Sequence, residues 1–295
     1  MVVVRSKDAA SVFAASEVDK NGKFEISNVA PGNYTLMAMT VTSGTSLTLR
    51  QSIEVGTSDI DDLQLTLMPP ATVRGRVHFD SRFPKPEAAK AVVFLRSLED
   101  DEDVFHGVTM NDEDVPSSHG FSQVKPDGTF ELRNVPAGVY ELGVSGDAKA
   151  FNETFVELLT VATKNFVESG LNVNGGTVVA DVSVSSETGV IEGAVTSEKG
   201  EPVGDAVVVA VPETRFRRQA SRYQKVPADQ AGKFTIRGLR PGTYRLFAWE
   251  HLEEEEYRDA DFLMSYEGRG VEVKVEKTSR QTVALKVIPT PAEQP

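Results

Sequence analysis

The sequence predicts an all-β chain of three tandem antiparallel β-sandwich modules, the first lacking its opening strand. Three observations carry this: a phrase that recurs three times, a two-residue periodicity inside each copy, and an interval the length of a small domain. The phrase reads Gly-x-Phe-x-(Ile/Leu)-x-x-(Val/Leu)-x-(Pro/Ala)-Gly-x-Tyr-x-Leu and spans Gly22–Leu36, Gly128–Leu142 and Gly232–Leu246. Its first glycines lie 106 and 104 residues apart, too far for a solenoid repeat of roughly 20 to 50 residues and right for whole domains.

Within each copy the first half is a strand. Phe24 and Ile26, Phe130 and Leu132, and Phe234 and Ile236 are spaced by two, so each pair shares a strand face while Glu25, Glu131 and Thr235 point away. The alternation resumes at Tyr34 and Leu36, at Tyr140 and Leu142, and at Tyr244 and Leu246. Pro31-Gly32 and Pro241-Gly242 fit the centre of a type II turn, whereas Pro136-Ala137-Gly138 departs from it. Each phrase therefore predicts a β-hairpin with Phe, an aliphatic residue, Tyr and Leu on its inward face, and core packing is the role of these aromatics.

Two further strands precede the phrase. Val73–Val77 leads to Ala91–Leu95, and Ile191–Val195 leads through a Gly-, Pro- and Asp-rich turn to Ala206–Ala210. In front of the first phrase only the second of these strands is present, as Val2-Val3-Val4. Its opening partner is missing, which predicts an open edge with exposed apolar side chains around Val2 to Val4, the true start and any export signal lying upstream. Strand patterns and polar joints place the modules at 1–69, 70–187 and 188–289, followed by a flexible tail at 290–295.

Here the residues resemble a known family. VIEGAVTSEKGEPVGDAVVVAVP followed by DQAGKFTIRGLRPGTYRLFAWE is similar to the carboxypeptidase regulatory-like domain, a transthyretin-like or Ig-like sandwich related to Cna B-type domains and the carbohydrate-binding-like fold. The likeness covers the third module almost throughout, the second in its first strands and phrase, and the first from its second strand on. The resemblance implies non-catalytic parts of secreted, periplasmic or cell-surface proteins, often in tandem.

Composition bounds the chemistry. The chain of 295 residues is 40% hydrophobic and 25% charged, ordinary globular material. A net charge of -13 argues against nucleic acid as a partner. Without cysteine there is no disulfide framework and no thiol nucleophile. No apolar run reaches the roughly 18 residues that span a bilayer, and no signal peptide precedes the first strand. His78, His106, His119 and His251 lack zinc-site spacing. The acidic stretches Glu99–Asp103 and Asp112–Asp114 offer oxygen ligands for calcium but not the glycine-punctuated pattern of an EF-hand. Neither a nucleophile elbow nor a phosphate-cradling loop is present. The reading is of no enzyme, with no catalytic, cofactor or metal residues.

Seven candidate strands in the third module, each reversing the last, send the chain in at one end and out at the other, so the modules are expected end to end as a rod. The same parity puts a basic loop (Arg215, Arg217, Arg218, Arg222, Lys225) and an acidic one (Glu250, Glu253 to Glu256, Asp259, Asp261) at opposite ends, unable to share a salt network. Trp249, the only tryptophan, falls on the outer face, with Tyr257 and Tyr266 following in the acidic loop. These rings are either a stacking platform for carbohydrate or packing covered by their own loop. Two functions follow: a structural and interaction array that meets a protein partner, or the upstream part of its own chain, through the first module's edge, or a carbohydrate-binding protein.

Overall fold

In the computed structural model, residues 1–6, 13–42, 45–84, 88, 90–98, 121–253 and 255–289 are described. The acidic stretches weighed for calcium, His106, His119 and the tail 290–295 lie outside them. The chain divides into two compact units: Met1–His78, Ala88–Ser145 and Val156–Ser183 form one, and Phe79–Glu87, Gly146–Phe155 and Val184–Pro295 form the other.

The first unit begins with β1 (Val2–Ser6), β2 (Phe13–Ser16), β3 (Gly32–Thr42) and β4 (Thr45–Val55), in the sheet order β2-β1-β3-β4. Val2 and Val4 of β1 face inward, 2% and 3% exposed. This corrects the expectation of an open edge at Val2 to Val4: the strand lies between β2 and β3. The equivalent of Ile191–Val195 would lie in the opposite layer, so β1 is paired on both sides without it. Residues 24–29 and 63–67 cover the sheet instead, their Phe24, Ile26, Val29, Leu63, Leu65 and Leu67 packing half-buried on Tyr34 and Leu36. Neither segment belongs to a ladder among the described residues, although the period-two alternation of Phe24 and Ile26 and of Leu63, Leu65 and Leu67 predicts strands.

Next in the chain come β5 (Ala71–Phe79), β6 (Val92–Ser97), β7 (Phe121–Gln123), β8 (Thr129–Val135), β9 (Gly138–Ser145), β10 (Phe155–Val161), β11 (Lys164–Asn165), β12 (Leu171–Val173) and β13 (Thr177–Ser185). They form two sheets, β11-β10-β13-β5-β8 and β12-β9-β6-β7. The repeated phrase is thus not a hairpin within one sheet. Its two halves, β8 and β9, lie in different sheets and turn Phe130, Leu132, Tyr140 and Leu142 into the shared core from opposite sides.

The second unit repeats this plan in β14 (Gly189–Thr196), β15 (Val207–Pro212), β16 (Gln224–Pro227), β17 (Lys233–Leu239), β18 (Gly242–Trp249), the helix α1 (Ala260–Tyr266), β19 (Val271–Val275) and β20 (Arg280–Lys286). The sheets run β17-β14-β20 and β16-β15-β18-β19. All seven expected strands are present, and β14 lies parallel to β20, as six reversals require of the first and seventh. The core between the sheets holds Ile191, Val208, Phe234, Ile236, Tyr244, Leu246 and Leu285. Gly32 and Gly242 open their strands with φ of 158° and 155°, far from the φ near +80° that a type II turn requires at glycine.

One position of the phrase does take the left-handed conformation throughout: Asn28, Asn134 and Gly238, with φ of 60°, 56° and 73°. At the last two a β-bulge shifts the register against β5 and β14. The tyrosines occupy equivalent buried places. The hydroxyls of Tyr34 and Tyr140 donate to the carbonyls of Ala30 and Pro136 at 2.9 and 3.0 Å, and Tyr244 shares a backbone hydrogen bond with Arg240. Burial pushes the Tyr244 phenol above its ordinary pKa.

Candidate interaction site

Within the second unit, residues 79–84 and 146–155 come from the stretch of chain that runs from the end of β5 to the start of β10, yet pack with β14–β20. Asp80 holds the first in place. Its carboxylate accepts the Ser186 amide, the Ser186 hydroxyl at 2.8 Å, and the amides of Arg82 and Phe83 at 2.9 and 3.2 Å. Desolvation alone would raise its pKa, but these donors more than offset it and hold the carboxyl below the usual range. Arg82 and Lys277 both reach Glu187, at 3.1 and 3.0 Å.

Apolar contacts complete the joint. Phe83 stacks on Phe79 at 4.6 Å and meets Phe151 at 4.9 Å. Phe151 sits in the 3-10 turn Lys149–Glu153, whose Asn152 carbonyl approaches β17 so closely that a Cβ on Gly238 would lie 2.3 Å from its oxygen. This explains glycine where the other copies of the phrase carry Asn28 and Asn134. Sequence reasoning found neither Asp80 nor Ser186, which are 106 residues apart; the departure at Gly238 was the one signal available.

The aromatics of the third module form a second cluster, on the outer face of β15 and β18. Trp249 is 2% exposed, stacked on Phe247 at 5.1 Å and flanked by Phe262 and Tyr266, each at 5.9 Å. Parity placed Trp249 on the outer face correctly, and its own loop covers it. Part of that cover, α1, starts at a local cap, the Asp259 carboxylate accepting the Phe262 amide at 2.7 Å. Tyr257 is buried beside Tyr223, its hydroxyl 3.0 Å from Glu255. Burial, opposed by Arg258, raises its pKa. Among the described residues the buried Trp249 indole nitrogen has no hydrogen-bond partner.

The two charged loops do meet, contrary to the parity argument. Arg217 lies 3.6 Å from Glu267, and Arg258 lies over the Tyr223 ring at 5.8 Å. They leave opposite ends of the sheet, but both fold back across its outer face to cover Val209, Val211, Phe247 and Trp249. Among the described residues no group of three or more His, Asp or Glu side chains is placed to hold a metal ion, and no helix is long and apolar enough to cross a membrane. His78 lies 3.7 Å from Asp181, both exposed.

Residues 190–286 match the family model of the carboxypeptidase regulatory-like domain. No curated protein matches the sequence. Among solved structures, a streptococcal ancillary pilin is 13% identical over 93% of this chain and 80% of its own, with a TM-score of 0.29. A minor pilin of Streptococcus agalactiae is 14% identical over 76% of this chain and 99% of its own, at 0.31. The major pilin subunit of Bacillus cereus is 14% identical over 98% and 93%, at 0.22. Scores this low leave the strand order as the basis of the fold assignment.

Proposed function

We propose that the chain is a non-catalytic structural and interaction array that works outside the cytoplasm, with module boundaries near 1–69, 70–187 and 188–289. The observation that carries the structural role is the joint. A spacer has to pass load from one folded element to the next, and Asp80, Ser186 and the Phe79–Phe83–Phe151 cluster tie segments of the second module into the unit of the third. Extracytoplasmic location is supported by the family match at 190–286. Carbohydrate binding through Trp249, Tyr257 and Tyr266 is the weaker reading, because a sugar would have to lift the cover from Trp249 and Tyr257, which are buried at rest, and displace Tyr266, half-buried against Trp249.

Hydrogen exchange on the full chain tests the joint. Amides of 79–83 and 149–153 are expected to be protected together with β14 and β17, and Asp80→Ala to release both segments first. Exchange of these segments at the rate of unstructured peptide in the unsubstituted chain would overturn the reading.

A further inference from the structure

The third module shows what the first is short of. In the layer β17-β14-β20 the middle strand runs antiparallel to β17 and parallel to β20. The first module has counterparts of both outer strands, in residues 24–29 and 63–67. Among the described residues it has none of the middle one.

The outer segments nevertheless keep the form of strands awaiting a partner. Asn28 retains the left-handed φ of 60° that, at Asn134 and Gly238, belongs to a bulge against the middle strand. The Glu25 amide donates to Ser16 Oγ at 3.4 Å, just as the Glu131 amide does to Ser122 Oγ at 3.2 Å. Peptide groups alternate sides along an extended chain, so those of Phe24 and Ile26 are directed the other way, where β5 runs beside β8. Phe24 and Ile26 are only half-buried, whereas Phe130, Leu132, Phe234 and Ile236 are buried.

We propose that the first module accepts an extended strand from a partner polypeptide, antiparallel to residues 24–29 and parallel to residues 63–67. The inference rests on the interaction role above and gives it a partner chemistry. The two middle strands present in this chain define that chemistry: a branched aliphatic residue, then any residue, glycine, any residue, and valine, as in Val73–Val77 and Ile191–Val195. Glycine is needed because the strands close in there. A Cβ on Gly75 would lie 1.7 Å from the Ala180 carbonyl oxygen, and one on Gly193 would lie 2.0 Å from that of Val283 and 2.5 Å from the Phe234 ring.

The test adds a synthetic peptide of residues 190–196 to the full chain and follows hydrogen exchange by mass spectrometry. Amides of residues 24–29 and 63–67 are expected to slow by about tenfold or more, since ladder formation removes local opening. The same peptide with Gly193→Val is expected to protect nothing. No protection by the first peptide up to roughly 1 mM, the limit of weak specific binding, overturns the proposal, as does equal protection by both peptides. Concentration-dependent protection without peptide, with a dimer in sedimentation, overturns the partner strand in favour of a second copy. Amides of 79–83 and 149–153, which the peptide does not touch, report the joint separately.

Discussion

Truncating the equivalent phenylalanines Phe24, Phe130 and Phe234 to alanine measures the missing strand. Phe130 and Phe234 are 2% and 4% exposed, and each is paired with a middle strand at Gly75 or Gly193. Full burial of this kind predicts a loss of about 3–5 kcal/mol, from transfer of the ring and the cavity left behind. Among the described residues no such strand lies beside Phe24, which is half-buried, so roughly half that loss, about 1.5–2.5 kcal/mol, is expected. The assay is urea denaturation of the full chain, with exchange of β3, β9 and β18 amides assigning each loss to its own module. A Phe24→Ala penalty equal to that of Phe234→Ala would show that the first module is already complete. With the 190–196 peptide bound, the Phe24 penalty should rise towards the others.

Three further outcomes follow from the geometry. Asp80→Asn should flatten the acid limb of second-unit stability: the depressed carboxyl contributes above its ordinary pKa and that contribution is lost as pH falls through its lower folded value, which a pH series of urea melts would read. At the alkaline end, the raised phenols of Tyr244 and Tyr257 keep their contribution up to the ordinary phenol range and lose it as pH rises through their folded values, so Tyr257→Phe should lessen the loss; an unchanged alkaline limb would count against burial of that ring. Trp249→Phe should cost little, within about 1 kcal/mol, because it gives up ring volume but relieves a buried indole N–H that has no partner among the described residues; in the unsubstituted chain the sole tryptophan should emit in the blue and resist acrylamide, and a response to glycans would favour the carbohydrate reading.

Strand positions were legible because period-two patterning reports which side chains face inward. It does not report which sheet a strand joins, so Phe234 and Tyr244 looked like one hairpin when they face each other across the core. Parity fixed where the loops after β15 and β18 leave the sheet, but not where long loops go. An apolar outer face carrying Val209, Val211 and Phe247 demanded a cover, and the loops supplied it. The joint was illegible for another reason. Asp80 and Ser186 are single polar residues in irregular segments, without periodicity or composition to link them, and only the folded chain brings them together.

The joint also separates two kinds of unit that the repeated phrase makes look alike. A cut at 187/188 would respect the duplicated sequence and still strip the third module of Phe79, Phe83 and Phe151, leaving Gly238 facing solvent where Asn152 had been. The repeat marks out one length of chain, while compact packing draws its border elsewhere, through the interior of the second copy. Excised along the repeat, the third module should behave as a wounded domain, sticky at its base and dependent on the segments it has lost.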